Sequence, residues 1–152
     1  MSTEIERRFL VSDPELVPAG IMSYDITQGY MYSGANGTVR FRVREDEGFV
    51  TIKGKPAPGH FGRSEFEYPV PAEDARAMIE QLCSTRVIRK TRRVVPVGDR
   101  MWEVDFFHGR HEGLVIAELE LESEDQEFEM PDFLGEEVTG KKGYSNAALS
   151  LQ

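Results

Sequence analysis

Residues 39–44 read VRFRVR, and the strict alternation of this stretch decides the fold class. Successive side chains of a β-strand point to opposite faces, so its arginines share one face while Val39, Phe41 and Val43 share the other. Residues 4–11, EIERRFLV, repeat the pattern with Glu and Arg on the charged face. Both stretches therefore predict strands that have one charged face and one apolar face.

The same alternation recurs along the chain, and each further segment keeps one sign of charge. The acidic segments are SEFEYPV, WEVDFF and AELELES, and the basic one is RKTR. Because neighbouring like charges repel, rows of opposite sign that face each other around a closed barrel would offset the repulsion. An antiparallel sheet with one face in water alternates in the same way, so the pattern alone leaves a solvated face and a charged lumen both open.

Composition indicates one globular domain over residues 1–152, with 39% hydrophobic and 30% charged residues. The net charge of −9 disfavours a nucleic-acid partner, while clustered Lys and Arg strips suit a small anion. A single cysteine, Cys83, excludes an internal disulfide and is expected to be a small buried side chain. Because no secretory signal or bilayer-spanning run is visible, we expect a cytoplasmic protein without a membrane partner.

The elements expected from these patterns form an α+β domain of antiparallel hairpins with few helices. A helix is predicted over residues 72–83, and SNAALSLQ predicts a terminal helix capped by Ser145. The segment SEDQEFEMPDFLG is expected to be a loop or a short helix. Strands are predicted at residues 4–11, 23–33, 38–45, 49–55, 63–70, 86–96, 101–108 and 114–122.

Two segments approach familiar functional motifs, but neither fits its motif. Residues 135–142, GEEVTGKK, approach the phosphate-binding pattern G-x-x-x-x-G-K-[ST], but Lys142 occupies the place of the hydroxyl that should hold magnesium. No parallel α/β pattern surrounds this segment. His108 and His111 flank a glycine and lack a third ligand nearby in sequence, so we do not assign them to a metal.

The charged strips carry a more specific chemistry. Clustered carboxylates offer oxygen donors that suit hard divalent cations such as Mg²⁺ or Mn²⁺. Arginine and lysine rows supply donors for phosphate oxygens. Phosphoryl transfer needs little beyond positioning, charge neutralisation and an oriented water or hydroxyl. Acidic strips beside basic strips therefore predict a site for a metal-bound polyphosphate.

The start EIERRFLV closely resembles the ExExK signature of the CYTH, or triphosphate tunnel metalloenzyme, superfamily. The segment GEEVTGKKGYSNAALS resembles the C-terminus of its short bacterial members, and QGY, TIK, SEFEY, KTR, EVDFF and ELELES follow in the family's order. The resemblance implies a closed antiparallel eight-stranded β-barrel, a triphosphate tunnel with charged side chains inside and a few flanking helices. It also implies hydrolysis of inorganic triphosphate to pyrophosphate and phosphate with Mg²⁺ or Mn²⁺.

The resemblance further implies roles for individual residues. Glu4 and Glu6 match carboxylates that bind metal and help orient the attacking water, and Asp105 matches a tunnel acid. Tyr30 and Arg40 lie beside these positions. The remaining metal-binding carboxylates are implied to be Glu65, Glu67, Glu118 and Glu120. The substrate-binding cations are implied to be Arg8, Arg42, Arg44, Lys53, Lys90, Arg92 and Lys142, with Arg8 and Lys90 also assigned to catalysis.

One residue departs from the signature, because Arg8 stands where the family has lysine. Arginine keeps the charge but is bulkier and always protonated, so we expect binding to persist with altered positioning. Other functions stay open: a class IV-type adenylate cyclase, an organic triphosphatase acting on nucleoside or thiamine triphosphate, or a non-catalytic polyphosphate-binding module. A homodimer is also open.

Overall fold

The structure is a computed structural model that describes residues 2–60 and 62–152, with Ser2 and Glu4 described by their backbone alone. The strands are β1 (Ser2–Val11), β2 (Met22–Gly34), β3 (Gly37–Arg44), β4 (Glu47–Lys53), β5 (Arg63–Val70), β6 (Val87–Val97), β7 (Arg100–Phe107), β8 (Val115–Leu121) and β9 (Leu134–Glu137). The helices are α1 (Ala72–Leu82) and α2 (Asn146–Leu149). The predicted antiparallel fold with few helices is confirmed.

The strands form one antiparallel sheet in the order β5-β4-β3-β2-β6-β7-β8-β1-β9. The start of β1 also pairs with β5, from Ser2↔Glu65 to Glu4↔Arg63. The predicted number of eight strands was wrong, since the described residues form a ninth that pairs with β1 near Phe9 and Val11. The expected regular closure is not found either, because most of β1 pairs with β8 and only its first residues reach β5.

The outward faces of the strands carry the main hydrophobic core. Trp102 of β7 is fully buried there and packs against Phe9, Phe128 and Phe133 at ring-centroid distances of 5.8, 5.7 and 6.4 Å. Phe128 and Phe133 belong to the segment between β8 and β9, which therefore covers this part of the sheet. That segment contains no helix, so the loop alternative is the correct one.

Helix α1 covers the outward face of the neighbouring strands. Its Ala75 and Ile79 pack with Phe41 and Val43 of β3 in a second apolar cluster. Cys83 follows the helix directly and is 1% exposed, which confirms the expected small buried side chain. A Cβ atom placed on Gly29 would lie 2.7 Å from the Cys83 sulfur, so glycine permits this close approach of helix and sheet.

The C-terminal segment lies against one end of the sheet. Ser145 caps α2, as predicted, because its hydroxyl accepts a hydrogen bond from the Ala148 amide at 3.1 Å. Leu149 packs with Ile88, Phe107 and Ile116, which come from three different strands. None of the helices in the described residues has the length and apolar content needed to cross a membrane.

Candidate functional site

The charged faces of the strands surround a cavity of about 740 Å³. Cations from β3, β4 and β6 line one part of its wall, and carboxylates from β1, β5, β7 and β8 line another. Thr139, Gly140 and the residues around α2 complete the lining from the C-terminal segment. The alternation therefore places acidic and basic rows around one cavity.

Arg42 is a buried cation of this wall whose hydrogen-bond partner is a neutral side chain. Its Nε and Nη2 atoms donate to the side-chain oxygen of Gln28 at 3.0 and 2.8 Å. Among the described side chains no carboxylate forms an ion pair with it. Burial, together with the neighbouring Arg40 and Arg92 charges, lowers the pKa of Arg42 to about 9. This part of the cavity therefore carries positive charge that an anionic ligand would neutralise.

Gln28 keeps Arg42 in this orientation. It is completely buried, and its amide nitrogen donates to the Tyr30 hydroxyl at 2.9 Å while its oxygen accepts from Arg42. The register of β2 against β3 puts Gln28 directly opposite Arg42 and Tyr30 opposite Arg40. A neutral amide thus satisfies the arginine donors without cancelling their charge.

Arg40 is held differently from Arg42, through Thr51 and Glu67. Its Nη2 atom donates to the Thr51 hydroxyl at 3.1 Å and lies 3.6 Å from a Glu67 oxygen. Thr51 in turn donates to Glu67 at 2.8 Å. The basic strand β3 is thereby linked across β4 to the acidic strand β5.

Arg92, which lines the cavity, forms a buried cluster with Lys90 and Asp105, which lie behind the wall. Asp105 accepts from Arg92 Nε at 2.7 Å and from Nη2 at 3.0 Å, and it lies 2.7 Å from Lys90 Nζ. Although burial would raise it, the two cations hold the pKa of Asp105 well below its usual range. Asp105 is therefore a carboxylate that forms ion pairs with two cationic side chains.

Lys90 is the member of this cluster that can change its charge near neutral pH. Burial lowers its pKa to about 7; Asp105 opposes that shift, whereas Arg92 and Arg42 reinforce it. Its amine also donates to the Asn146 side-chain oxygen at 3.1 Å and lies 5.5 Å from the centre of the Phe107 ring. A perturbed pKa of this kind occurs both in functional sites and in structural networks of ion pairs.

Arg8 joins strand β1 to two other parts of the wall. One guanidinium nitrogen pairs with Glu118 of β8, and Nη2 donates to the Tyr144 carbonyl at 2.8 Å. Burial would raise the pKa of Glu118, but the Arg8 charge lowers it to about 2. The forked arginine therefore contacts both an acidic row and the C-terminal segment, which a single lysine amine does less readily.

Pairs of carboxylates in the wall lie close enough together to share a divalent cation. Glu6 lies directly opposite Glu120 in the β1–β8 register, and Glu118 lies opposite Glu103 of β7. Like charges in such positions repel, and a cation between them would offset the repulsion. Among the described side chains no three or more His, Cys, Asp or Glu residues form a ready metal site. The carboxylate oxygens are donors of the kind that hard divalent cations prefer, and such cations complete their coordination with water and phosphate oxygens.

Most of the predicted site residues meet in this cavity. Those that line it are Glu6, Arg8, Arg42, Arg44, Lys53, Glu65, Glu67, Arg92, Glu118 and Glu120. Lys90 and Asp105 lie behind the wall, and both are almost completely buried. The side chain of Glu4 lies outside the described part of the chain, although its backbone belongs to β1.

Lys142 does not lie where the sequence predicted it. It lines a second cavity of about 460 Å³ together with His111 and Tyr144. The reason is the backbone, because Gly140 and Gly143 adopt φ angles of +70° and +97° on either side of it. These left-handed turns lead the chain away from the main cavity after Gly140 and back to it at Ser145.

Arg44 lies at the rim of the cavity. Its guanidinium is 5.0 Å from the centre of the Tyr24 ring and 5.6 Å from that of Phe49. It also donates to Glu47 at 3.0 Å. This partly exposed arginine therefore already has a carboxylate partner and two aromatic neighbours, in contrast to Arg42.

Sequence reasoning missed Gln28, Thr51, Thr139 and Asn146 as site residues. Gln28 and Thr51 occupy inward positions of β2 and β4, so the alternation that marked the charged residues could also have marked them. Thr139 accepts a hydrogen bond from the Arg8 amide at 2.9 Å. Thr139 and Asn146 lie outside the regular strands, and no periodicity in the sequence pointed to either of them.

Comparisons with known proteins match nearly the whole chain. The CYTH domain family matches residues 2–149. The inorganic triphosphatase of Acetivibrio thermocellus is 40% identical over 151 residues, which cover 98% of this chain and 94% of that protein. The inorganic triphosphatase of Nitrosomonas europaea is 34% identical over 154 residues, which cover 98% and 97%.

A similar protein of known structure is also an inorganic triphosphatase. A crystal structure of an inorganic triphosphatase has 32% sequence identity to this chain and a TM-score of 0.70. The match covers 100% of this chain and 97% of the other.

Proposed function

The chain belongs to the CYTH domain family, and from this premise we propose that it hydrolyses inorganic triphosphate to pyrophosphate and phosphate in the charged cavity. Two relatives that are 40% and 34% identical over nearly their full length are inorganic triphosphatases, which supports a hydrolase of this specificity. The lining of the cavity supports the same function, because cations and carboxylates surround one space of about 740 Å³.

The observation that carries the proposal is the uncompensated charge at Arg42. Its donors meet only the neutral Gln28 oxygen, and burial, reinforced by the Arg40 and Arg92 charges, lowers its pKa to about 9. A polyphosphate oxygen would supply the missing negative charge through charge-assisted hydrogen bonds. Lys53, Arg8 and Arg44 extend this cationic wall for a chain of several phosphates.

We assign a divalent cation, Mg²⁺ or Mn²⁺, to the acidic part of the wall. Glu6, Glu118 and Glu120 would hold it, and Glu4, Glu65 and Glu67 are the further predicted ligands. When bound, the cation supplies neutralisation of the charge on the phosphate oxygens. The three central carboxylates come from the adjacent strands β1 and β8, so their spacing is fixed by the sheet.

In the proposed reaction the water oxygen attacks the terminal phosphorus, the phosphoanhydride P–O bond breaks, and pyrophosphate leaves with the bridging oxygen. The proton of the attacking water passes to an oxygen of the phosphate that is formed, while Lys90, buried behind the wall, contributes to catalysis through the charge network that it forms with Asp105 and Arg92. The arginines hold the phosphate chain while charge spreads over its oxygens.

Phosphate release tests the proposed function. We expect tripolyphosphate to be hydrolysed with Mg²⁺ or Mn²⁺, faster than ATP or thiamine triphosphate, and excess EDTA to abolish turnover. Full activity in EDTA would refute the metal assignment. Cyclic AMP as the main product from ATP would show a cyclase, and binding without turnover would show a polyphosphate-binding module.

A matched pair of arginine variants tests the binding site. Arg42→Ala should weaken tripolyphosphate binding by about 1.5–3 kcal/mol, because a charge-assisted contact is lost. Arg89→Ala is the control, since Arg89 is exposed on the opposite face of β6. Thermal shift with tripolyphosphate should show strong stabilisation of the wild type and the control but much less of Arg42→Ala.

A further inference from the structure

The arginines that line the main cavity differ in the kind of partner that holds them. Those that form an ion pair with a carboxylate are Arg8, Arg40, Arg44, Arg63 and Arg92. Arg42 donates instead to an amide oxygen, and among the described side chains no carboxylate pairs with it. Within the described part of the chain, Arg42 is therefore the cavity arginine that a neutral group orients.

Gln28 is that neutral group, and its own orientation is fixed. Its side-chain oxygen accepts from Arg42 Nε at 3.0 Å and from Nη2 at 2.8 Å, while its amide nitrogen donates to the Tyr30 hydroxyl at 2.9 Å. The side chain is completely buried, and the strand register places it opposite Arg42. Turning the amide over would set its N–H bonds against the arginine donors, so the contact has one stable arrangement.

The contact uses only one edge of the Arg42 guanidinium. A guanidinium has five N–H bonds, and Gln28 accepts one from Nε and one from Nη2. The bonds of Nη1 and the second bond of Nη2 form the other fork, whose spacing suits two phosphate oxygens. Because Arg42 lines the cavity, Gln28 determines which edge of the arginine a phosphate meets there.

The neighbours of Arg42 on the inner face of β3 show the other arrangement. Arg40 Nη2 lies 3.6 Å from a Glu67 oxygen, and Arg44 donates to Glu47 at 3.0 Å. Both of these arginines therefore reach the cavity with a negative charge beside them. A change of charge at position 28 would alter the middle of this row and leave its two ends as they are.

We propose that Gln28 positions Arg42 and, because it is neutral, makes the cavity selective for anions of high charge. A glutamate in its place would accept the same two hydrogen bonds, so orientation alone does not require an amide. The glutamate would also offset the Arg42 charge, as Glu118 does for Arg8. An anion gains from a positive charge in proportion to its own charge, so keeping that charge favours tripolyphosphate over orthophosphate.

This inference rests on the proposed function, but binding without metal tests it separately. The probes are tripolyphosphate and orthophosphate, titrated by calorimetry into the full chain in EDTA. In Gln28→Glu the Kd of tripolyphosphate should rise on the order of a hundredfold, whereas that of orthophosphate should rise less than about tenfold. The midpoint of thermal unfolding of the ligand-free protein should not fall, because the buried Arg42 gains a counter-charge.

Gln28→Met tests positioning apart from charge. Methionine keeps the length of the side chain but gives Arg42 no strong acceptor, so the guanidinium loses its orientation while its charge remains. The Kd values of both anions should rise by a similar factor, roughly tenfold, and the unfolding midpoint should fall.

Ser23→Glu is the matched control for added charge. It places the same negative charge at an exposed position on the outward face of β2, opposite Arg93. Because solvent and salt screen a charge at that position, both Kd values should stay within about twofold of those of the wild type.

The outcomes distinguish the two claims. If Gln28→Glu weakens both anions equally, or lowers stability together with affinity, the neutrality of Gln28 does not set the selectivity and the inference fails. It also fails if Gln28→Met keeps the wild-type Kd values, or if Ser23→Glu changes their ratio as much as Gln28→Glu does. A wild type that binds no tripolyphosphate in EDTA refutes the inference, whereas one that releases no phosphate with Mg²⁺ or Mn²⁺ refutes the proposed function.

Discussion

Strand β7 presents two very different environments on its two faces. Trp102 and Val104 point outward into the apolar core and are completely buried. Glu103 and Asp105 point the other way, where Arg92 contacts both of them. Neighbouring residues of one strand thus belong to a dry hydrophobic cluster and to a charged network.

The difference shows that this sheet stabilises the fold with one face and builds its chemistry with the other. The outer cluster gains free energy from burial of apolar surface. The inner network removes charges from water, which is costly unless each charge finds a partner. Inner substitutions should therefore change stability through unpaired charge, and outer substitutions through lost packing.

The largest expected effect is at Asp105. Asp105→Asn keeps the shape but leaves Lys90 and Arg92 without their shared anion, so stability should fall by about 3–5 kcal/mol. Glu103→Gln is the control on the same face, because Glu103 is 41% exposed and should lose less than about 1 kcal/mol. Denaturant unfolding at pH 7 measures both. Equal losses of stability in the two variants would show that the burial of a carboxylate in this network does not determine how much it stabilises the fold.

An intermediate effect is expected on the outer face. Val104→Ala removes buried methyl groups and leaves a small void, so stability should fall by about 2 kcal/mol. The thermal shift caused by tripolyphosphate should be unchanged, since Val104 faces away from the cavity. Loss of that ligand-induced shift would contradict the assignment of stability to the outer face and of ligand binding to the inner face.

The smallest expected effect is the pH dependence that Lys90 causes. Its folded pKa of about 7 lies below the unfolded value of about 10.4, so between these pH values the unfolded chain binds more protons. Stability should therefore rise with pH, by about 1 kcal/mol from pH 7 to 8. Lys90→Met should lack this increment. The difference in unfolding free energy between wild type and variant, measured at both pH values, separates the contribution of Lys90 from that of other titrating groups.

The alternation of charge allowed most of the fold and the cavity wall to be predicted. VRFRVR identified both faces of β3, and Arg42 and Arg44 do line the cavity. Periodicity assigns a residue to a face but gives no depth, so it could not separate Lys90, which is buried behind the wall, from Lys53, which lines it. Nor could it show that Gln28 rather than a carboxylate meets Arg42.

The errors fall where the chain leaves regular strands. Strand β9 has only four residues, and its pairing with β1 shifts register. No alternating run in the sequence therefore predicted it. Lys142 was assigned from a resemblance of the C-terminal motif, but the left-handed glycines beside it place it in another cavity. Asn146 has no charge or period to mark it. Its place in the cavity wall depends on tertiary contacts of the C-terminal segment.

The pairing of β1 has a consequence for folding. All partners of this strand come late in the chain, from Arg63 in β5 to Glu137 in β9, and its longest ladder is with β8. Such distant contacts form slowly, so β1 exists for some time as an unpaired edge that could aggregate. Its charged residues Glu6, Arg7 and Arg8 are of the kind that protects exposed edges. Glu6 and Arg8, which line the cavity in the native state, and Arg7, which pairs with Glu137, therefore also protect the strand before its partners have formed.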